Sequence, residues 1–339
     1  MGARPSSTTD LRHHGDRDAR PGLVDLAVNV RPGAPPQWLI DRLAAVDLAR
    51  YPDQAAATAA VAARHRRAQD EVLLTAGAAE AFVLIARALT FRHAVVVHPQ
   101  FTEPEIALRA AGHDVDRLVL EPPFVLDPRT VPAVADLVLL GNPTNPTSVL
   151  HPAETIRALI RPGRLVVVDE AFADCVPGEP ESMANDPGVL VVRSLTKTWG
   201  LAGLRVGYVL AAAPIIERLR AAQPHWPVSA PALEACVACT EAAGLAEAHE
   251  WAATLGPRRV QLAAALQALT GVDVVPHPRA SFLLVRAERP EIWNPLRDKG
   301  FAVRRGDTFP GLGAHWMRVA VRDEATSTAF VHALQEVLR

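Results

Sequence analysis

Lys197 stands in Ser194-Leu195-Thr196-Lys197-Thr198-Trp199-Gly200-Leu201-Ala202-Gly203-Leu204-Arg205, directly after the apolar run Val189–Arg193. An amine with two hydroxyl side chains just before it and an arginine eight residues after it suits Schiff-base chemistry on a phosphorylated aldehyde. The amine would condense, while Ser194, Thr196 and Arg205 hold a phosphate. A loop lysine on the surface would look the same in isolation, so the weight rests on motifs upstream.

Three of these follow β-like runs. Ala76-Gly77-Ala78-Ala79-Glu80 is a small-residue turn between a strand and a helix, where backbone N–H groups can approach a phosphate. Gly141-Asn142-Pro143-Thr144-Asn145-Pro146-Thr147 carries two Asn-Pro steps; such steps predict an extended, rigid turn from which Asn145 can donate to a phenolate oxygen. Asp169-Glu170-Ala171-Phe172 follows Leu165–Val168. A carboxylate at the C-terminal end of a buried strand lies where α/β sheets place ligands, and burial demands a partner for it, such as a protonated ring nitrogen. Glu170 is expected to be structural.

The elements that must position these residues alternate along the chain. Helical periodicity is expected over Gln37–Leu48, Ala55–Arg67, Ala79–Leu89, Glu103–Ala111 and Ala153–Ile160. A short apolar stretch, Leu23–Val30, leads into a turn-rich connection, and strands are expected at Val72–Thr75, Ala94–His98, Val115–Leu120, Asp136–Leu140, Leu165–Val168, Val189–Arg193 and Arg205–Leu210. Runs apolar on both faces, separated by amphipathic helices, predict an α/β fold with a mostly parallel sheet covered on both sides. Beyond Pro231 the character changes: Ala232–Leu269 reads as helix interrupted near Gly244 and Gly256-Pro257. Short strands at Ser281–Arg286, Ala302–Arg304 and Met317–Val321 then mix with helices near Glu291–Lys299 and Thr326–Leu338.

A chain of 339 residues with 49% hydrophobic content has room for a large domain and a smaller one. Its net charge of −2 gives no reason to expect nucleic acid or an anionic membrane as a partner. Cys175, Cys236 and Cys239 cannot build a disulfide framework. Cys236-Val237-Ala238-Cys239 lies inside a helical stretch, the wrong context for a redox motif, and has no second pair to complete a zinc site; no metal is expected. The first twenty residues lack the apolar stretch of a secretory signal, no uncharged run is long enough to span a membrane, and a cytoplasmic location is expected. Met1–Ser6 matches a loose acylation pattern with nothing beside it in support.

Asn145, Asp169 and Lys197, each just past a strand, resemble the active-site order of fold-type I pyridoxal-phosphate enzymes, over essentially the whole chain. The resemblance implies an N-terminal arm, residues 1–35, joining a small domain; a large cofactor-binding domain, residues 36–230; and a small α+β C-terminal domain, residues 231–339. Arg50-Tyr51-Pro52-Asp53 and the motifs above are similar to those of histidinol-phosphate aminotransferases. A finer match is to threonine-phosphate decarboxylases of cobalamin biosynthesis. It rests on His14-Gly15, Asn29, Asp169–Pro177, Arg193–Lys197, Trp226–Ser229, Phe309-Pro310-Gly311 and Arg318–Arg322.

By that resemblance Lys197 bonds pyridoxal 5'-phosphate covalently and moves protons, Asp169 pairs with the ring nitrogen, Asn145 bonds the ring oxygen and Phe101 stacks on the ring. Gly77, Ala78, Ser194, Thr196 and Arg205 would bind the cofactor phosphate, and Tyr51 would reach it from the other subunit of a homodimer with shared active sites. Arg318 would grip the substrate carboxylate. Arg304 would grip a substrate phosphate with His14, Gly15 and Asn29, the substrate being a small phosphorylated amino acid or amino alcohol. Arginines beside short strands can make such bidentate contacts. Phe172 stands where the aminotransferase branch usually has tyrosine, and Asp16 stands where a second glycine is usual. From Phe172 and the terminal matches the expected reaction is decarboxylation of L-threonine O-3-phosphate to (R)-1-amino-2-propanol phosphate. The alternative is amino transfer from a phosphorylated substrate such as histidinol phosphate to 2-oxoglutarate. A non-catalytic effector-binding module of the same fold is a third reading, disfavoured because some thirty N-terminal residues are too few for a helix-turn-helix domain.

Overall fold

Valine-rich runs pair side by side in the computed structural model, which describes residues 10–339; the Met1–Ser6 pattern lies outside them. The strands are β1 (Val24–Leu26), β2 (Val72–Thr75), β3 (Ala94–His98), β4 (Val115–Val119), β5 (Leu137–Gly141), β6 (Leu165–Asp169), β7 (Val189–Ser194), β8 (Gly207–Leu210), β9 (Val272–Val274), β10 (Phe282–Ala287), β11 (Phe301–Arg305) and β12 (Trp316–Ala320). The larger sheet runs β2-β8-β7-β6-β5-β3-β4. From β7 to β4 all neighbours are parallel, and β8 is antiparallel to both β7 and β2.

Both faces of this sheet are covered, which is why its central strands are apolar throughout. Val166, Val168, Val189 and Val191 face a core built with helices Ala55–Arg64 and Ala230–Thr240. The alternate residues Val167, Leu190 and Val192 face a second core with helices Ala78–Ala88 and Ala213–Ala222. The same two-residue alternation governs the strand ends. Asp169 and Ser194 continue the second face, whereas Glu170 and Arg193 continue the first.

The smaller sheet runs β1-β11-β12-β10-β9. β1 joins it parallel to β11, with Val24 opposite Phe301, so the N-terminal segment is part of the C-terminal unit's sheet. Its core lies against the helices Ala242–Gln267 and Glu324–Leu338. Among the described residues no helix is long and apolar enough to cross a membrane.

Several expectations need correction. The helical stretch after Pro231 breaks at Glu241, where the backbone is extended, and then continues straight through Gly256-Pro257 to Gln267. Buried Trp251, Leu255, Arg259, Leu262 and Leu266 fall on one face at helical spacing across the proline; tertiary packing of that face outweighs one lost hydrogen bond. Helix Ala230–Thr240, expected with the C-terminal unit, packs on the larger sheet instead, with Cys236 and Cys239 buried against its core. Strand β9 and helix Ala213–Ala222 were not legible as elements. The first is three residues long, and the second opens on a proline that reads as a turn.

Between the larger sheet and its first helical layer lies an ion cluster. Arg193 donates to Glu170 (2.8 Å), Asp174 (2.9 Å) and Glu179 (2.6 Å), and Arg64 donates to Asp174 (2.7 Å) and Glu179 (3.0 Å). Glu170 also accepts from Ser182 Oγ (2.7 Å) and the Met183 N–H (2.6 Å), the structural role expected for it. The side chains of Glu170 and Arg193 are 0% and 2% exposed, so removing one partner leaves a charge with no water to solvate it. Arg193→Met is expected to cost about 3–5 kcal/mol, measured as a drop in the denaturant midpoint, whereas a surface change such as Arg129→Met leaves the midpoint within experimental scatter.

Candidate active site

Lys197 lies in a single helical turn, Thr196–Trp199, directly after β7. The turn ends at Gly200, whose φ of +67° favours glycine and where any Cβ would stand 2.6 Å from the Ala34 carbonyl carbon. That close approach lets the N-terminal segment cross over the turn, and Arg31 N–H donates to the Lys197 carbonyl at 2.8 Å.

The cleft around Lys197 has two lobes, of about 340 Å³ and about 160 Å³, which share Phe101, Asn145, Phe172, Thr196, Lys197 and Arg205. Asp169, Ala78 and Ser194 line the smaller lobe. His14, Gly15, Asn29, Arg304 and Arg318 line the larger. A roomier cavity of about 670 Å³, walled by Asp53, Thr58, Arg220 and Trp226, holds no buried amine–carboxylate pair; the chemistry, not the volume, singles out the cleft.

Electrostatics in the smaller lobe are set by burial. Desolvation pushes the Asp169 carboxyl up to about 6, against the stabilising Ala171 N–H (3.0 Å) and the Lys197 charge. Burial, then the nearby Arg318 charge, pushes the Lys197 amine down to about 8. Lys197 Nζ sits over the Phe172 ring, 5.7 Å from its centroid. A buried carboxylate with no hydrogen-bonded cation among the described residues is costly, and a protonated ring nitrogen would satisfy it.

A helix start beside an arginine, an arrangement that can hold a phosphate, borders the smaller lobe. Gly77, with φ +79°, precedes helix Ala78–Ala88, and a Cβ on it would meet Arg205 Nη2 at 2.8 Å. The positive φ favours glycine, and a larger residue would also push the guanidinium away from the helix N-terminus. Arg205 itself has φ +57°, an uncommon conformation for a non-glycine residue. These features fit pyridoxal phosphate: an amine for the aldehyde, a carboxylate for the ring nitrogen, and an arginine over a helix start for the phosphate.

The larger lobe is lined by two buried arginines, both already furnished with partners. Arg318, on β12, donates to Asn145 Oδ1 and to the Ala27 carbonyl. The Asn29 amide, with its oxygen toward the guanidinium, accepts from Nε at 3.0 Å and Nη1 at 3.1 Å. The guanidinium stacks over Phe282 at 5.2 Å. Burial, then Arg304, lowers the Arg318 pKa to about 9, so it stays cationic near neutrality. Arg304, on β11, packs over Phe309 at 4.6 Å and donates to the His13 carbonyl at 2.6 Å.

The N-terminal segment is tied down around these groups. His14 Nε2 bonds Glu103 at 2.6 Å, with its ring 5.4 Å from Phe101, and Thr102 Oγ1 donates to the Leu11 carbonyl at 2.6 Å. Asp16, the acid noticed beside His14-Gly15, is exposed at the cleft lining. The acid that meets Arg304 is Asp18, at 3.5 Å, which no motif marked. Glu103, Phe282 and Phe309 were likewise not assigned roles; a histidine five residues before an aspartate was the one local hint at Asp18.

Of the predicted residues, Gly77 lines neither lobe but lies against Arg205 at the edge of the cleft, and Tyr51 lies outside it. It is 77% exposed and stacks on Trp226, ring centroids 4.4 Å apart.

Residues 21–334 match the family model "Aminotransferase class I and II". A histidinol-phosphate aminotransferase of Mycobacterium bovis is 52% identical over 320 residues, 92% of this chain and 87% of that protein. A threonine-phosphate decarboxylase of Salmonella typhimurium is 30% identical over 338 residues, 93% and 91% of the two chains. The L-threonine-O-3-phosphate decarboxylase structure from Porphyromonas gingivalis superposes with a TM-score of 0.84 at 25% identity, covering 93% of this chain and 99% of that one. The expected decarboxylation is therefore overturned by the sequence likeness, since the aminotransferase is far more similar than the decarboxylase. Phe172, the main residue behind that expectation, has a packing reason: it meets Phe282 edge-on at 4.9 Å and closes the smaller sheet's core. The chain belongs to the class I and II aminotransferase family, enzymes of fold-type I that use pyridoxal phosphate.

Proposed function

We propose that this chain transfers the amino group of a phosphorylated amino substrate such as histidinol phosphate to 2-oxoglutarate. The observation that carries the reading is the likeness to the mycobacterial histidinol-phosphate aminotransferase. A cleft with two buried arginines beside half-buried Lys197 supports it, because both the donor and the acceptor are anionic.

Pyridoxal phosphate, when bound, supplies an aldehyde for the substrate amine and a ring that draws electrons from the substrate carbon. In this proposal Asp169 holds the ring nitrogen, Phe101 covers one ring face, and Asn145 donates to the ring oxygen through Nδ2 while its Oδ1 serves Arg318. Gly77, Ala78, Ser194, Thr196 and Arg205 hold the phosphate.

Lys197 Nζ would take the proton from the substrate carbon that bears the amine and return it across the C–N bond, at the carbon that the aldehyde supplies. Its lowered pKa leaves a useful neutral fraction near pH 8, as a general base requires. Arg318 takes the substrate carboxylate where one is present. Arg304, with His14, Gly15 and Asn29 around it, takes the distal phosphate or carboxylate. Phe172 contributes no hydroxyl, and its ring walls water away from the amine. Tyr51, exposed and held by Trp226, is suited to enter the cleft of a second copy, which makes the working form a homodimer.

Glutamate formation from histidinol phosphate and 2-oxoglutarate by the holoenzyme tests the reading; no glutamate, with CO2 released from threonine phosphate instead, refutes it. Cofactor-free protein titrated with pyridoxal phosphate should develop an absorbance band near the visible edge, and Lys197→Ala should not. Only the neutral amine attacks, so the rate of that development should rise as pH approaches about 8 and level off above it. An unperturbed lysine would keep accelerating toward about pH 10.4.

A further inference from the structure

Arg304 lines the cleft, while the carboxylate paired with it, Asp18, does not. Asp18 stands behind the guanidinium, its side chain 4% exposed against 2% for Arg304. It cannot readily swing away. Its Oδ1 bonds His13 Nε2 at 2.9 Å, and its backbone N–H caps the short helical turn Gly15–Arg17 by donating to the Gly15 carbonyl at 3.1 Å. Its other oxygen lies 3.5 Å from Arg304 Nη1, too far for a strong hydrogen bond but close enough for a strong charge interaction.

Arg304 is meanwhile held directly by the His13 carbonyl at 2.6 Å and the Phe309 ring at 4.6 Å; Asp18 contributes to that placement only through its bond to the His13 ring, which a neutral acceptor can also make. What Asp18 alone adds beside the arginine, out of water, is its charge. An anion arriving on the cleft side of Arg304 meets a guanidinium whose charge is partly cancelled from behind.

We propose that Asp18 is a specificity-determining positioning residue, a fixed counter-charge that weakens the grip of Arg304 on the anionic end of the substrate. This rests on Arg304 receiving that anion in the reading above. Amino transfer passes two different anionic compounds through one cleft in alternation, and a grip set too strong would hold a product in place. Asp18 keeps the subsite loose enough to exchange a phosphate for a carboxylate.

The sign of one substitution separates this role from a structural one. Asp18→Asn keeps the shape and an acceptor for His13 while removing the charge. It should tighten binding of anions to the holoenzyme, whereas mere loosening of the N-terminal segment would weaken binding of everything. Coulomb energy scales with ligand charge, so the gain for a dianion should be about the square of the gain for a monoanion: roughly threefold for acetate implies roughly tenfold for inorganic phosphate at alkaline pH. Calorimetric titration of each anion into wild-type and Asp18→Asn holoenzyme measures both, and Asp18→Ala should shift them in the same direction. In turnover, KM for the anionic substrates should fall with kcat unchanged or lower. Unchanged or weaker phosphate binding in both variants, a gain independent of ligand charge, or no binding heat in any protein overturns the proposal. Arg304→Gln tests the underlying reading separately: if it leaves phosphate affinity untouched, the anion subsite lies elsewhere, whatever Asp18 does.

Discussion

The contact between Glu170 and Arg193 underlies the rest of the site. It joins the ends of two adjacent parallel strands on the face turned away from the cleft, in a place without water. Because strand side chains alternate, fixing Glu170 and Arg193 below the sheet fixes Asp169 and Ser194 above it. The turn bearing Lys197 leaves β7 immediately afterwards, so its amine inherits the same anchor. A buried pair of this kind contributes modest net stability against well-packed apolar residues; what it does here is hold two strand ends at one level, and three carboxylates shared between two arginines make that level hard to shift.

On the other face, burial sets the chemistry. Asp169 and Lys197 are both pushed toward their neutral forms, each opposed by the other's charge. Such a pair is poised for a ligand that brings a positive ring nitrogen and removes the amine's need for a proton. The larger lobe works in the opposite manner. Its arginines remain cationic, and their donors are spread over the Ala27 and His13 carbonyls, Asn29, Asn145 and Asp18. The N-terminal segment supplies four of those five acceptors, so the shape of the anion site depends on β1 having joined β11.

Reaction choice does not follow from this framework alone. A decarboxylase shares the backbone at a TM-score of 0.84, so the fold alone does not separate the two reactions; in the proposed reading the choice would lie in how Arg304 and Arg318 orient the substrate. Reading the reaction from Phe172 failed because that side chain has a packing reason of its own, its edge-on contact with Phe282 in the smaller sheet's core.

Most of the larger sheet was legible because its strands are short apolar runs with sharp ends, and strands β2 and β3 match their expected limits residue for residue. Asp169, Lys197 and Asn145 could be placed for a related reason: Asp169 ends β6, Lys197 lies three residues past β7 and Asn145 four past β5, all within reach of local order. The helix through Pro257 was not legible, since its continuity comes from a buried face packing against another sheet. Nor was the pairing of Arg304 with Asp18, 286 residues away, or of Arg318 with Asn145 and Ala27, 173 and 291 residues away. Local sequence determined which groups could do chemistry and which strand end each would occupy, because propensity and alternation act over a few residues. Tertiary structure alone decided how strongly each charge is felt, because burial and long-range pairing belong to the folded chain.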